Sequence, residues 1–165
     1  MRKLLSIFFT LLLIFLVSAC SETMNPTPVS SPTPAPTIPA VSYETCRQIQ
    51  DAIEKAAAED VQVYVSSKED GVSIHVSIDP VVIDYQYAMT FAPVVDVAKA
   101  ELSTRNLALT DLRIGGVFYE EGEQCALITW DSEDFETGHF LYTNGKVISR
   151  EMTVQEVLDF CDYPG

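Results

Sequence analysis

Six of the nine prolines in this chain fall between Pro26 and Pro39, set among Thr, Ser and Ala, and Glu22 is the only charge from Ser21 to Ser42. Alternating X-Pro favours polyproline II, and the stretch has no periodicity that would bury a face. It therefore reads as a tether of about twenty residues, spanning up to roughly 60 Å at about 3.1 Å per residue. A proline-rich ligand for a recognition domain is the alternative, but no basic residue flanks the prolines to anchor one. Any packed structure is thereby confined to Tyr43–Gly165, about 120 residues, which is enough for one core.

Ahead of the tether, Arg2 and Lys3 precede an uncharged run from Leu4 to Val17 that carries only Ser6 and Thr10 as polar interruptions. That is the profile of a signal peptide; a spanning helix needs about 20 apolar residues and a basic stop-transfer flank. The run closes on Val17-Ser18-Ala19-Cys20. This segment resembles the lipobox of bacterial lipoprotein precursors, with an aliphatic residue, two small residues and a cysteine. The resemblance implies that residues 1–19 are removed, that Cys20 is acylated and becomes the first mature residue, and that the protein sits on the cell membrane facing the extracytoplasmic side. Ser21 after the cysteine matches the outer-membrane-sorted type where the host has two membranes.

Charge narrows the partners. With 24 acidic against 10 basic side chains the net charge is −14, and losing Arg2 and Lys3 leaves 8 basic groups. So acidic a chain offers no face for neutralising many phosphates, which excludes general nucleic-acid binding, and anionic headgroups repel it. Residence at the bilayer must then come from acylated Cys20, since each buried methylene contributes about 0.8 kcal/mol.

Within 43–165, Cys46, Ile49, Ile53 and Ala56 or Ala57 recur at helical spacing over about 44–59, with Ser42 or Thr45 available as cap and Thr45/Gln48 fitting a capping box. Val61, Val63 and Val65, then Val72, Ile74, Val76 and Ile78, alternate about a turn at Lys68–Gly71 and predict a β-hairpin. Residues 81–92 fit either strand or helix. A helix follows over about 88–105, with Pro93 in its first turn. Leu112–Tyr119 and Gln124–Trp130 form a second hairpin, with Gly115-Gly116 marking a bulge. Phe140–Thr143 and Lys146–Ser149 form a third, around a type I′ turn at Asn144-Gly145. Thr153 and Glu156 make a capping box for a last helix bearing Val154, Val157, Leu158 and Cys161 on one face. The order α-β-β-α-β-β-β-β-α predicts an α+β fold: a two-layer domain, an antiparallel sheet of hairpins with helices on one face. Its repeated helix-plus-hairpin unit resembles the α-β-β units of PepSY-type extracytoplasmic domains in element order alone, which implies no activity.

The chemistry is less constrained. Exported domains retain disulfides, so Cys46 and Cys161 can close one, leaving Cys125 buried and free; equally, all three can be unpaired small hydrophobes. A nucleophilic cysteine needs a base, and the sequence places neither histidine near one. His75 falls in the polar register of its strand and reads as solvated. His139 follows Asp131, Glu133, Asp134 and Glu136, so Asp131, Glu133, Asp134 and His139 are candidate metal ligands, against the reading of a solvated acidic connection. The glycine spacing is not that of an EF-hand, and no HExxH, GxSxG, SxxK, Walker or GxGxxG motif is present. No cofactor is expected. Tyr85, Tyr87, Phe91, Tyr119, Trp130, Phe135, Phe140 and Tyr142 are many aromatics for so small a domain, and some on an open sheet face would make a binding patch. The sequence thus points to a lipid-anchored, non-catalytic module contacting an envelope or secreted protein, with a cation-binding or accessory enzyme role for 131–139 as the alternative.

Overall fold

A computed structural model describes residues 40–57 and 61–162. The chain divides into two units, Met1–Thr37 and Ile38–Gly165, and the described residues all belong to the second. The signal peptide, Cys20 and all of the tether except its last three residues lie outside the described residues. None of the described helices is long and apolar enough to cross a membrane.

Helix α1 (Tyr43–Ala56) starts at Ser42, whose Oγ accepts the Thr45 N–H at 3.1 Å. Ser42 is thus the cap, and Gln48 turns instead to Glu44. Strands β1 (Val61–Lys68) and β2 (Gly71–Ile78) form the expected hairpin in register from Val61↔Ile78 to Lys68↔Gly71. The ambiguous segment resolves as helix: α2 runs from Asp84 to Arg105, and Pro93 sits in its middle rather than its first turn. An interior proline costs about 3 kcal/mol. Packing outweighs that cost, because Tyr87, Ala88, Phe91, Val94, Val95, Ala98 and Leu102 are all buried. Tyr87 also donates its hydroxyl to the Ile114 carbonyl at 2.9 Å, and Asn106, left-handed at φ 54°, closes the helix.

Strands β3 (Leu109–Glu120), β4 (Glu123–Ser132), β5 (Thr137–Tyr142) and β6 (Ile148–Thr153) complete one six-stranded sheet in chain order. It is an α+β fold in the expected element order, antiparallel except where β2 meets β3, which run parallel. A parallel pair needs a long crossover, and α2 supplies it. Helix α3 (Val154–Phe160) carries the full capping box between Thr153 and Glu156.

The type I′ turn lies in the β3–β4 connection rather than at Asn144-Gly145. Glu121 (φ 52°) and Gly122 (φ 86°) take the positive φ at both central positions that a type I′ turn requires. At Asn144-Gly145 only Gly145 does, and Tyr142 pairs with Ile148 across a five-residue connection. Two contacts hold that loop open. Thr143 bonds Leu127 through both its N–H (2.9 Å) and its hydroxyl (2.8 Å), while the Lys146 ammonium lies 4.8 Å over Phe160 and 5.5 Å over Tyr142. The bulge also moves: register is unbroken through Gly115 and Gly116 and shifts between Phe118 and Tyr119, where Cys125 is the extra residue.

The alternate residues of each strand meet the helices. Trp130 is fully buried, donates Nε1–H to the Met152 carbonyl at 3.1 Å, and meets Phe91 edge-on with centroids 5.3 Å apart. The other alternate residues face away from every helix.

Candidate functional site

On that helix-free face, strand register lines up one residue from every strand. Tyr64 pairs with His75, His75 with Arg113, Arg113 with Asp131, Asp131 with His139, and His139 with Glu151. Both histidines of the chain stand in this row. Neighbours in a row lie about 5 Å apart, so opposite charges pair. The Arg113 Nε donates to Asp131 Oδ1 at 2.5 Å, and Asp131 raises the guanidinium's already high pKa. His75 Nε2 lies 2.7 Å from Asp111 Oδ2, which also accepts from the Ser73 hydroxyl at 3.0 Å. His139 Nδ1 lies 3.4 Å from Glu151 Oε1, and its Nε2 shares a 3.1 Å hydrogen bond with Ser149. The row borders a cleft of about 710 Å³ that includes Glu133, Asp134 and Thr137 from the β4–β5 connection.

The proposed metal ligands reach this cleft, where Asp131, Asp134 and His139 are otherwise engaged. Asp131 is held by Arg113. The Asp134 carboxylate accepts the backbone N–H groups of Glu136 (2.8 Å) and Thr137 (2.9 Å), which lower its pKa and close the turn in which Phe135 takes φ 65°. His139 stands opposite Asp131 on the next strand, and Glu133 is exposed. No three His, Cys, Asp or Glu side chains among the described residues gather so as to hold a metal ion.

Of the two readings of the cysteines the structure bears out the unpaired one, and only the exposure of Cys125 departs from expectation. Cys46, Cys125 and Cys161 are all free, and Cys125 is exposed rather than buried, because it is the bulged residue of β4. Cys46 and Cys161 cannot meet: α1 packs on β1 and α3 on β5 and β6. These are opposite ends of the sheet, roughly 20 Å apart at about 4.8 Å per strand, whereas a disulfide needs its Cα atoms within about 7 Å. Burial pushes the Cys161 thiol up to about 12 and also raises Cys46, so both stay protonated. Beside Cys161, the Tyr142 hydroxyl is raised to about 12, first by burial and then by donating to Asp84 at 3.0 Å.

Of the eight aromatics singled out, Tyr87, Phe91, Trp130, Phe140 and Tyr142 are core, Phe135 packs against it, and Tyr85 and Tyr119 are exposed. Alternation along β3 turns Tyr119 to the open face, and a second aromatic there, Tyr64, was not singled out in the sequence, nor were Asp111, Arg113 and Glu151. The signal was present: Tyr64 lies between Val63 and Val65, and Arg113 between Leu112 and Ile114, so alternation alone turns both outward.

No protein-family model matches the chain, and neither a curated protein nor a solved structure matches it. The likeness to PepSY-type units accordingly rests on element order alone, and the class defined here is an α+β domain with a helix-free polar sheet face.

Proposed function

We propose that this protein is a lipid-anchored extracytoplasmic binding module that takes its partner on the helix-free sheet face. One observation carries the reading: the unbroken row Tyr64, His75, Arg113, Asp131, His139 and Glu151 beside a cleft of about 710 Å³. Binding suits it better than catalysis, because the row's charged groups already pair with neighbours and the buried thiols lie on the helix side. Cys125, at the far end of β4, is separated from Asp131 by six residues, roughly 20 Å of strand. A cation-binding role for 131–139 has less support, since Asp131 and Asp134 are committed to Arg113 and to backbone.

Acylation of Cys20, which the lipobox supports, places the face outside the membrane. Cys20→Ala is then expected to move the protein from the membrane to the soluble fraction. For the face itself, the test is capture of envelope material by full-length bait in detergent. Glu151→Arg, on the row, is expected to abolish capture, and Glu54→Arg, on the exposed side of α1, to preserve it; equal capture by both variants refutes the reading.

A further inference from the structure

Two adjacent glycines sit in the interior of β3, and the fold needs only one of them. A Cβ on Gly116 would lie 2.6 Å from Val81 Cγ2 and 2.8 Å from Ile128 Cγ2, so packing on the helix side requires a hydrogen there. A Cβ on Gly115 would meet only Thr129 Cγ2 at 3.6 Å and the Val76 carbonyl at 4.0 Å, which is ordinary contact. Its φ lies outside the left-handed region as well. Glycine inside a strand costs stability and often marks a place where a ligand comes close to the backbone. Gly115 points onto the helix-free face, where it lines a groove of about 360 Å³ with Gln62, Tyr64, His75, Ser77 and Arg113. Tyr64 is 66% exposed.

We infer that this groove binds a chain of uncharged sugar units, a proposal that names the ligand class of the face assigned above and rests on that reading. The flat face of Tyr64 offers a stacking surface for the C–H side of a sugar ring. Gln62, Ser77 and the His75/Arg113 pair offer donors and acceptors side by side, which suits hydroxyls, each of which both donates and accepts. The absent side chain at Gly115 lets the ring settle against the strand. A net charge of −14 disfavours polyanions. Over β2 and β3 an extended peptide finds no main-chain partner, because both strands are paired on both sides. The groove and the larger cleft share His75 and Arg113, so the path continues beyond one ring and fits a chain.

The test titrates the full chain in detergent with cellotetraose and chitotetraose by calorimetry, with hexalysine as the competing occupant. At least one tetrasaccharide is expected to bind, with Tyr64→Ala and Gly115→Val each weakening it on the order of tenfold. Melting temperature serves as the control: Gly115→Val is expected to match or exceed wild type, since valine favours strands and its Cβ fits. Binding by neither sugar, sugar binding untouched by both variants, or binding of hexalysine in their place would each overturn the proposal. Glu151→Arg lies outside the groove and separates the two readings: capture lost only in that variant, with no sugar binding in wild type, sinks the ligand class and leaves the binding face standing.

Discussion

Gly116→Ala is the substitution for which the structure fixes both sign and size. The new methyl would stand 2.6 Å from Val81 Cγ2, 2.8 Å from Ile128 Cγ2 and 3.1 Å from Tyr87 Cδ2. None of the three neighbours is loose. Val81 is tied by its N–H to the Val117 carbonyl at 2.9 Å, Ile128 lies in the middle of β4 opposite Gly116 itself, and Tyr87 is pinned through its hydroxyl to Ile114. Overpacking a core that cannot yield costs about 1–3 kcal/mol. For a domain of this size each kcal/mol moves the melting temperature by roughly 3–5 °C, so a loss of about 3–15 °C is expected in a thermal melt followed by circular dichroism. Gly115→Ala is the internal control. Its methyl meets nothing closer than 3.6 Å, and the reduced freedom of the unfolded chain contributes about 0.4–1 kcal/mol of stability. A Gly116→Ala melt equal to wild type would refute the packing argument, and a Gly115→Ala loss as large as that of Gly116→Ala would remove the premise of the groove inference that the fold leaves Gly115 free.

Two further outcomes follow from the charge and thiol positions. The Asp134 carboxylate is held below its usual pKa by two backbone N–H groups, so its contribution is complete above the unfolded value near about 3.9 and is lost as pH falls through the folded value; Asp134→Ala is expected to melt below wild type at pH 7, with the gap closing on acidification in melts run from pH 7 to pH 2. With Cys20 replaced by Ala, a thiol-reactive dye is expected to label one cysteine in the native state, Cys125, and three after denaturation, and melting with and without reductant is expected to coincide; a reductant-sensitive melt would show a disulfide this structure lacks.

Much of the fold was legible because period-2 alternation survives through most of the strands, the Thr153 cap is occupied, and Ser42 is the one of the two candidate caps that starts α1. What escaped was decided by contacts distant in sequence. Pro93 reads locally as a helix start, and only the burial of Tyr87 and Phe91 against the sheet extends α2 back to Asp84. Asn144-Gly145 reads as a tight turn, and only Thr143's bonds to Leu127, sixteen residues away, open it. Disulfide and free thiols could not be told apart in the sequence because residue faces were legible while positions along the sheet were not: Cys46 and Cys161 are both buried, yet over opposite edges.

The functional face shows the same limit more sharply. Tyr64, His75, Arg113, Asp131, His139 and Glu151 have no common spacing in the chain; they become a row only through five strand registers. Shifting any strand by one residue would turn its member of the row into the core. Register is therefore where packing and recognition are coupled. Close fits on the helix side pin it: Gly116 under Val81 and Ile128, and Gly138, where a Cβ would lie 2.6 Å from Trp130 Cε2. A residue that never touches a ligand can thus disturb the binding face, whereas Gly115, fitted to no neighbour, affects only what lies above it. The crossover through α2 carries the same weight. By making β2 and β3 parallel, it sets His75 beside Arg113, the pair at which groove and cleft meet.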